Sequence, residues 1–258
     1  TFDLGEYDSS RELVIDPLIN IAGYIGGSGD DLGAAVGVDA DGNAYITGTT
    51  TSVNFPTNDG ALQTTFHGIS DVFVTKVNAA GTSLVYSTYV GGTGADSAQA
   101  IAVDAAGHAT VAGDTTSTDF PTTGGQENYA GNGDAFVFRL APDGDGVFAT
   151  FIGGSDSDIA NGVALDGAGN AYVVDWTASN NLPAAVNSFG GQADAFVTKV
   201  EPSEVPPGQV GFTYTRYVGG ADFDVGFGIA VDPTTNEAVI IGDTFSNNAS
   251  NFPLLGAI

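Results

Sequence analysis

The sequence has no cysteine and no methionine among its 258 residues. That excludes disulfides, thiolate nucleophiles and soft-metal sites together. It also removes the most readily oxidised side chains, which suits an exposed extracellular life. Basic residues are nearly missing: five Lys plus Arg stand against 31 acids, a formal net charge of −26. Nucleic acid is excluded as a partner, because phosphate binding needs clustered Lys or Arg. Anionic membrane surfaces are disfavoured for the same reason. No apolar run approaches the ~20 residues of a membrane helix, so no membrane insertion is expected. Glutamate is scarce too, with 25 of the acids being Asp and six Glu. Aspartate serves turns and short cation-chelating loops, whereas Glu prefers helices.

What is present points to a turn-rich β protein. There are 38 glycines and 10 prolines, beside 42 % hydrophobic and 10 % aromatic residues. Internal repeats dominate. Four glycine pairs follow aromatic-rich strands, at Gly26-Gly27, Gly91-Gly92, Gly153-Gly154 and Gly219-Gly220. Four residues after each pair comes an aspartate: Asp31, Asp96, Asp158 and Asp224, at steps of 65, 62 and 66 residues. Eight residues further an apolar strand closes on Asp39, Asp104, Asp166 and Asp232. A second strand then begins at Asn43, His108, Asn170 and Glu237, and leads to a polar–apolar–Pro signal ending at Pro56, Pro121, Pro183 and Pro253. A third strand starts at Asp71, Asp134 and Asp194, and a fourth runs back to the next glycine pair. No window sustains a 3.6-residue apolar period, so helix should be scarce. Four short strands per unit is the plan of a propeller blade, and one blade cannot bury both faces alone.

The segments Tyr86–Gly92, Ile101-Ala-Val-Asp104, Gly42–Gly48 and Asp194–Lys199 resemble the bacterial and archaeal SBBP β-propeller repeat family. The opening Gly5–Asp8 and Arg11–Pro17 resemble the stretch that leads into the first such repeat in large cell-surface proteins. The resemblance implies an extracellular module and supplies no catalytic residues. The expected fold is an all-β propeller of four four-stranded units, starting near residues 26, 91, 153 and 219. It forms one domain over residues 21–258 behind a leader at 1–20.

The loops after the glycine pairs carry the strongest chemical signal. Gly26–Asp31 and Gly91–Asp96 match the G-G-x-G-x-D core of calcium-binding β-rolls, but at one copy per unit rather than one per nine residues, which rejects a β-roll. Asp30, Asp31, Asp96, Asp156, Asp158, Asp222 and Asp224 are the candidate Ca²⁺ ligands, since Ca²⁺ takes six to eight hard oxygens. The alternative reading is that these aspartates cap turns through the backbone. Asp39, Asp104, Asp166 and Asp232 read as turn residues. Asp71, Asp134 and Asp194 read as structural strand starters. His67 and His108 occupy non-equivalent places in the repeat and read as isolated surface histidines. Trp176, the single tryptophan, reads as a packed blade residue before a sugar-stacking one. No Gly-x-Ser-x-Gly elbow marks a nucleophile, and no enzyme is expected. Asn248-Ala-Ser250 is a glycosylation sequon.

These features predict a secreted or cell-surface structural module that self-assembles, with calcium offsetting its charge. A blade-face binder of a glycan or protein is the alternative. The last copy stops before its third strand. The segment Arg11–Leu18 is therefore expected to complete it, either in its own ring or by strand addition to a neighbour, with a lean to the neighbour and a filament.

Overall fold

Short runs of β-branched and aromatic residues extend into strands, and Asp/Gly tetrapeptides reverse them. The computed structural model describes residues 22–203, 209–232 and 234–246. Across these residues the chain is all-β, with no helix. The first sheet holds β1 (Asp31–Val38), β2 (Ala44–Thr50), β3 (Asp71–Val77) and β4 (Leu84–Val90) in that order. The second holds β5 (Asp96–Val103), β6 (Ala109–Thr115), β7 (Asp134–Leu140) and β8 (Gly146–Ile152). The third holds β9 (Gly162–Leu165), β10 (Ala171–Thr177), β11 (Asp194–Ser203) and β12 (Gln209–Val218). The fourth pairs β13 (Asp224–Val231) with β14 (Ala238–Thr244). Every pairing between these strands is antiparallel.

The fourth unit thus shows two strands among the described residues where four were expected. The leader at residues 1–20, the Asn251-Phe252-Pro253 signal and the sequon at Asn248 lie outside the described residues.

The hairpin between the first two strands of each unit turns on Gly42, Gly107 and Gly169, all near φ +84°. In the last unit Asn236 takes that left-handed conformation at φ 58°, which Asn tolerates better than most residues. A second glycine position sits in strand two. At Gly48, Gly113 and Gly242 a β-carbon would collide with the carbonyl oxygens of Leu32, Ser97 and Val225. There strand one carries a register shift, between Gly33 and Ala35, Ala98 and Ala100, and Gly226 and Gly228. The third unit has Asp175 at this position, and its strand one is cut to four residues. Residues upstream of β9 are held by an isolated bridge between Asp158 and Thr177 and by single bonds such as Ile159 N–H to Trp176 O.

The core lies between sheets, and the two-residue period of the strands decides who faces whom. On β7, Phe136 and Phe138 pack with Val72, Val74 and Tyr86 of the first sheet. The intervening Ala135 and Val137 pack with Val173, Phe196 and Tyr217 of the third. The apolar residue before each proline plugs its own blade. Phe55 stacks on Phe73 and Phe120 on Phe136, both at 4.6 Å, and Leu182 is buried in the equivalent place. First strands stack in succession: β5 packs on β1, β2 and β3, β9 on β5 and β6, and β13 on β9, β10 and β11. No comparable packing joins β13 or β14 to β1 among the described residues.

Candidate functional site

The repeated aspartates assemble three layers of polar contact at each blade junction. The first is a cap. Oδ2 of Asp31, Asp96, Asp158 and Asp224 accepts the N–H of Gly27, Gly92, Gly154 and Gly220 at 2.7–2.8 Å. The same oxygen accepts the hydroxyl of Ser52, Ser117, Ser179 or Ser246 at 2.9 Å. Oδ1 accepts the hydroxyl of Thr50, Thr115, Thr177 or Thr244. The serine hydroxyls in turn accept N–H bonds from Gly29, Gly94, Asp156 and Asp222. Asp96, Asp158 and Asp224 therefore tie a glycine loop that arrives from the preceding sheet to the end of strand two, and Asp31 ties the Gly26-Gly27 loop to the end of β2. Burial is the largest influence on Asp31 and raises its pKa, yet the Thr50, Gly27 and Ser52 donors outweigh it and hold the group below its ordinary value. For Asp96 and Asp158 deeper burial prevails over the same donors and the shift is upward.

The second layer faces the first. Asp71, Asp134 and Asp194, at the start of each third strand, are buried. Oδ2 accepts a backbone N–H four residues upstream, from His67, Ala130 or Gly190. Oδ1 has no hydrogen-bond partner in any of the three. It points toward the cap of the next sheet. A β-carbon on Gly91 would lie 2.7 Å from Asp71 Oδ1 and 2.7 Å from Asp96 Oδ2, so the two oxygens are at most twice that distance apart. Gly219 stands in the same way between Asp194 Oδ1 and Asp224 Oδ2, and Gly153 lies against Asp134 Oδ1. Burial first, then the facing Asp96, pushes Asp71 up to about 7. Burial and Asp158 take Asp134 to about 6, and burial and Asp224 take Asp194 to about 6. Two carboxylates facing each other in a dry junction do not both ionise readily. The donors saturating Asp96 favour its charge, so the proton of the pair belongs to Asp71.

The third layer closes the other end of the blades. Asp39 accepts the N–H groups of Asp41 and Asn43 and the Asn43 amide. Asp104 and Asp166 repeat this with their own turns, His108 Nδ1 lying 2.9 Å from Asp104 Oδ2 in place of the amide. Asp232 accepts the N–H groups of Thr234 and Thr235. Burial opposes ionisation of Asp39, but its donors and Lys76 bring it to about 2. Lys76 and Lys199 stand 3.6 Å from Asp39 and Asp166 and lie over the rings of Tyr45 and Tyr172. Arg139 occupies the equivalent place and reaches the Gly169 carbonyl of the next blade. The sequence reading passed over these three cations. Their signal was there: three of only five basic residues fall five positions after the strand-three aspartate.

Of the proposed calcium ligands, Asp31, Asp96, Asp158 and Asp224 are therefore engaged by protein donors. Asp30 and Asp156 are exposed and Asp222 is half-buried. No three His, Cys, Asp or Glu side chains converge in a metal-like group among the described residues. Asp175 is a further case that sequence reasoning missed. It is fully buried with neither oxygen in a well-formed hydrogen bond, and burial, opposed by the adjacent Trp176 backbone and reinforced by the charge of Asp114, raises it to about 8. Its signal was a break in the strand-two glycine. His67 contributes a backbone N–H to Asp71 and is not paired with His108. Trp176 is half-buried, with its ring 5.5 Å from that of Phe223.

Three segments, residues 23–56, 85–121 and 147–183, match the family described as Beta-propeller repeat, SBBP. The chain carries SBBP beta-propeller repeats. Each matched segment runs through the glycine pair, the capping aspartate and the Thr-x-Ser step to the proline, and the second and third begin in β4 and β8 of the preceding sheet. These two segments therefore straddle a blade junction, and all three contain the whole cap. No curated protein matches the chain.

Proposed function

We propose that the chain is a secreted or cell-surface, non-enzymatic structural module that assembles through its blades. One observation carries this reading: the buried aspartates at the strand starts join one blade to the next, while among the described residues both end sheets present exposed apolar faces. Leu32, Val36 and Val38 are exposed on β1, and Val239 and Ile241 on β14. Soluble monomers rarely leave such strips open. Calcium enters the proposal through the exposed Asp30 and Asp156 and the half-buried Asp222, because the capping aspartates already accept three donors each. Electron microscopy of the purified chain tests the reading. Regular oligomers or filaments support it, and uniformly single particles at high concentration and high salt would remove it.

A second reading, capture of a glycan or protein, is favoured by a run of aromatic rings. Trp176, Phe223 and Phe245 follow one another at 5.5 and 6.4 Å between centroids, and Phe245 is largely exposed. The other blades have no aromatic residue in these places. Binding to a glycan panel that is lost in Trp176→Ala would favour this reading over the first.

A further inference from the structure

The two bare faces are the two halves of one junction. On strand two, the side chains that face the following sheet are buried wherever a following sheet exists. Tyr45 donates its hydroxyl to Gly107 O, and Tyr172 to Asn236 O, each across to the next unit. Ala112 is buried in the cluster shared with the third sheet, and Val174 lies against Gly226 of the fourth. Val239 and Ile241 hold the same repeat positions on β14 and are 65 % and 71 % exposed.

On strand one, the reverse holds. Ile101 and Val103 of β5 lie against Gly37 of the first sheet, and Ile229 of β13 lies against Gly162 of the third. Val36 and Val38, the same positions on β1, are 66 % and 62 % exposed. Among the described residues, β13–β14 thus presents the face that receives a first strand, and β1 is a first strand with no sheet packed on it.

We propose that the β13–β14 face of one copy packs against β1 of a second copy, head to tail, reproducing the junction that the chain builds three times within itself. This rests on the structural reading above and names its contact. The occupant follows from continuity: the only surface shown to fit a strand-two face of this repeat is a strand-one face of the same repeat. Such a contact is heterologous, so every added copy leaves a new free face, and growth continues until a ring closes or a filament forms. Val239 replaces the tyrosine of the first and third units, so this contact lacks the cross-blade hydroxyl bond and is chiefly apolar. Copies carrying −26 each repel one another, so association should strengthen as salt shortens the screening length.

The test uses the full chain in sedimentation velocity over a wide concentration range at low and high salt. Two exposed positions are changed separately: Ile241→Glu on one face and Val36→Glu on the other, with Ile241→Ser as a milder variant. Circular dichroism verifies folding. The wild type should form larger species as concentration and salt rise. Each Glu variant should weaken self-association at least tenfold. An equimolar mixture of the two should form a one-to-one dimer and stop there, because one good face of each kind remains. A wild type that stays monomeric at every salt concentration would overturn both this contact and the assembly reading. Variants that all assemble like the wild type would overturn this contact alone and leave assembly standing.

Discussion

Asp71 of the first sheet and Asp96 of the second converge on Gly91, with the Asp71 Oδ1 atom unpartnered and the Asp96 carboxylate saturated by donors. The arrangement recurs with Asp134 and Asp158, and with Asp194 and Asp224. Tyr89, Tyr129 and Tyr217 are the phenols that sense the first member of each pair. In the unfolded chain such aspartates titrate near 4, but in the fold they titrate at about 7, 6 and 6. Below pH 4 both states hold the protons and nothing differs. From about 4 to 7 the folded state keeps protons that the unfolded state has released, so stability falls as pH rises. Asp39 works oppositely, its contribution being present above 4 and lost toward 2. The melting temperature should therefore peak near pH 4–5 and decline toward pH 8. The triple variant Asp71→Asn, Asp134→Asn, Asp194→Asn should reduce that decline to the part that Asp175, raised to about 8, contributes. A melting temperature that climbs from pH 5 to 8 in the wild type would show that the pairs do not hold protons.

The same junction makes Gly91 intolerant. A β-carbon there meets both carboxylates, whereas one on Gly33 meets nothing within 4 Å. Gly91→Ala should cost on the order of 1–3 kcal/mol, the usual range for overpacking. Gly33→Ala should stay within about 0.5 kcal/mol of the wild type. Urea titration of both variants makes the comparison, and equal costs would mean that the junction relaxes around the methyl group.

Asp175 breaks a rule that its three counterparts obey. Glycine at this position lets strand one pass with its register shift, and the buried Asp175 carboxyl has no partner. Asp175→Gly should stabilise the protein by about 1–3 kcal/mol, the cost of an unsatisfied buried polar group. It should also add amide protection over residues 158–161. A loss of stability instead would reveal that this carboxyl binds something in solution.

Chelation tests the calcium proposal. A ligand of the folded state raises stability by mass action. With calcium confined to Asp30, Asp156 and Asp222, millimolar EGTA should lower the melting temperature by no more than about 2 °C at physiological salt, a shift below about 1 kcal/mol for a chain of this size. A larger drop, abolished in Asp96→Asn, would return the capping aspartates to the metal.

Much of this protein was legible in one dimension. The phase of the units, the four strand types and the hairpin turns follow from local chemistry: alternating β-branched residues, an Asp that bonds its own turn, and a glycine where φ is positive. The repeats were readable because the same short-range solution recurs every 62 to 66 residues. Even Asp175 was visible as a departure from that pattern. The pairings were not. Asp71 and Asp96 are 25 residues apart and begin strands in different sheets, and nothing in either local motif says that one will face the other. Lys76 finding Asp39, and Arg139 finding Gly169, are equally non-local. The Asp71–Asp96 and Arg139–Gly169 contacts exist because stacking brings the third strand of one sheet against the first strand or first hairpin of the next, and Lys76–Asp39 because strand three pairs beside the first hairpin of its own sheet. Whether a carboxylate there caps a turn, shares a proton or holds a cation depends on burial and on the donors around it, which only the packed junction supplies.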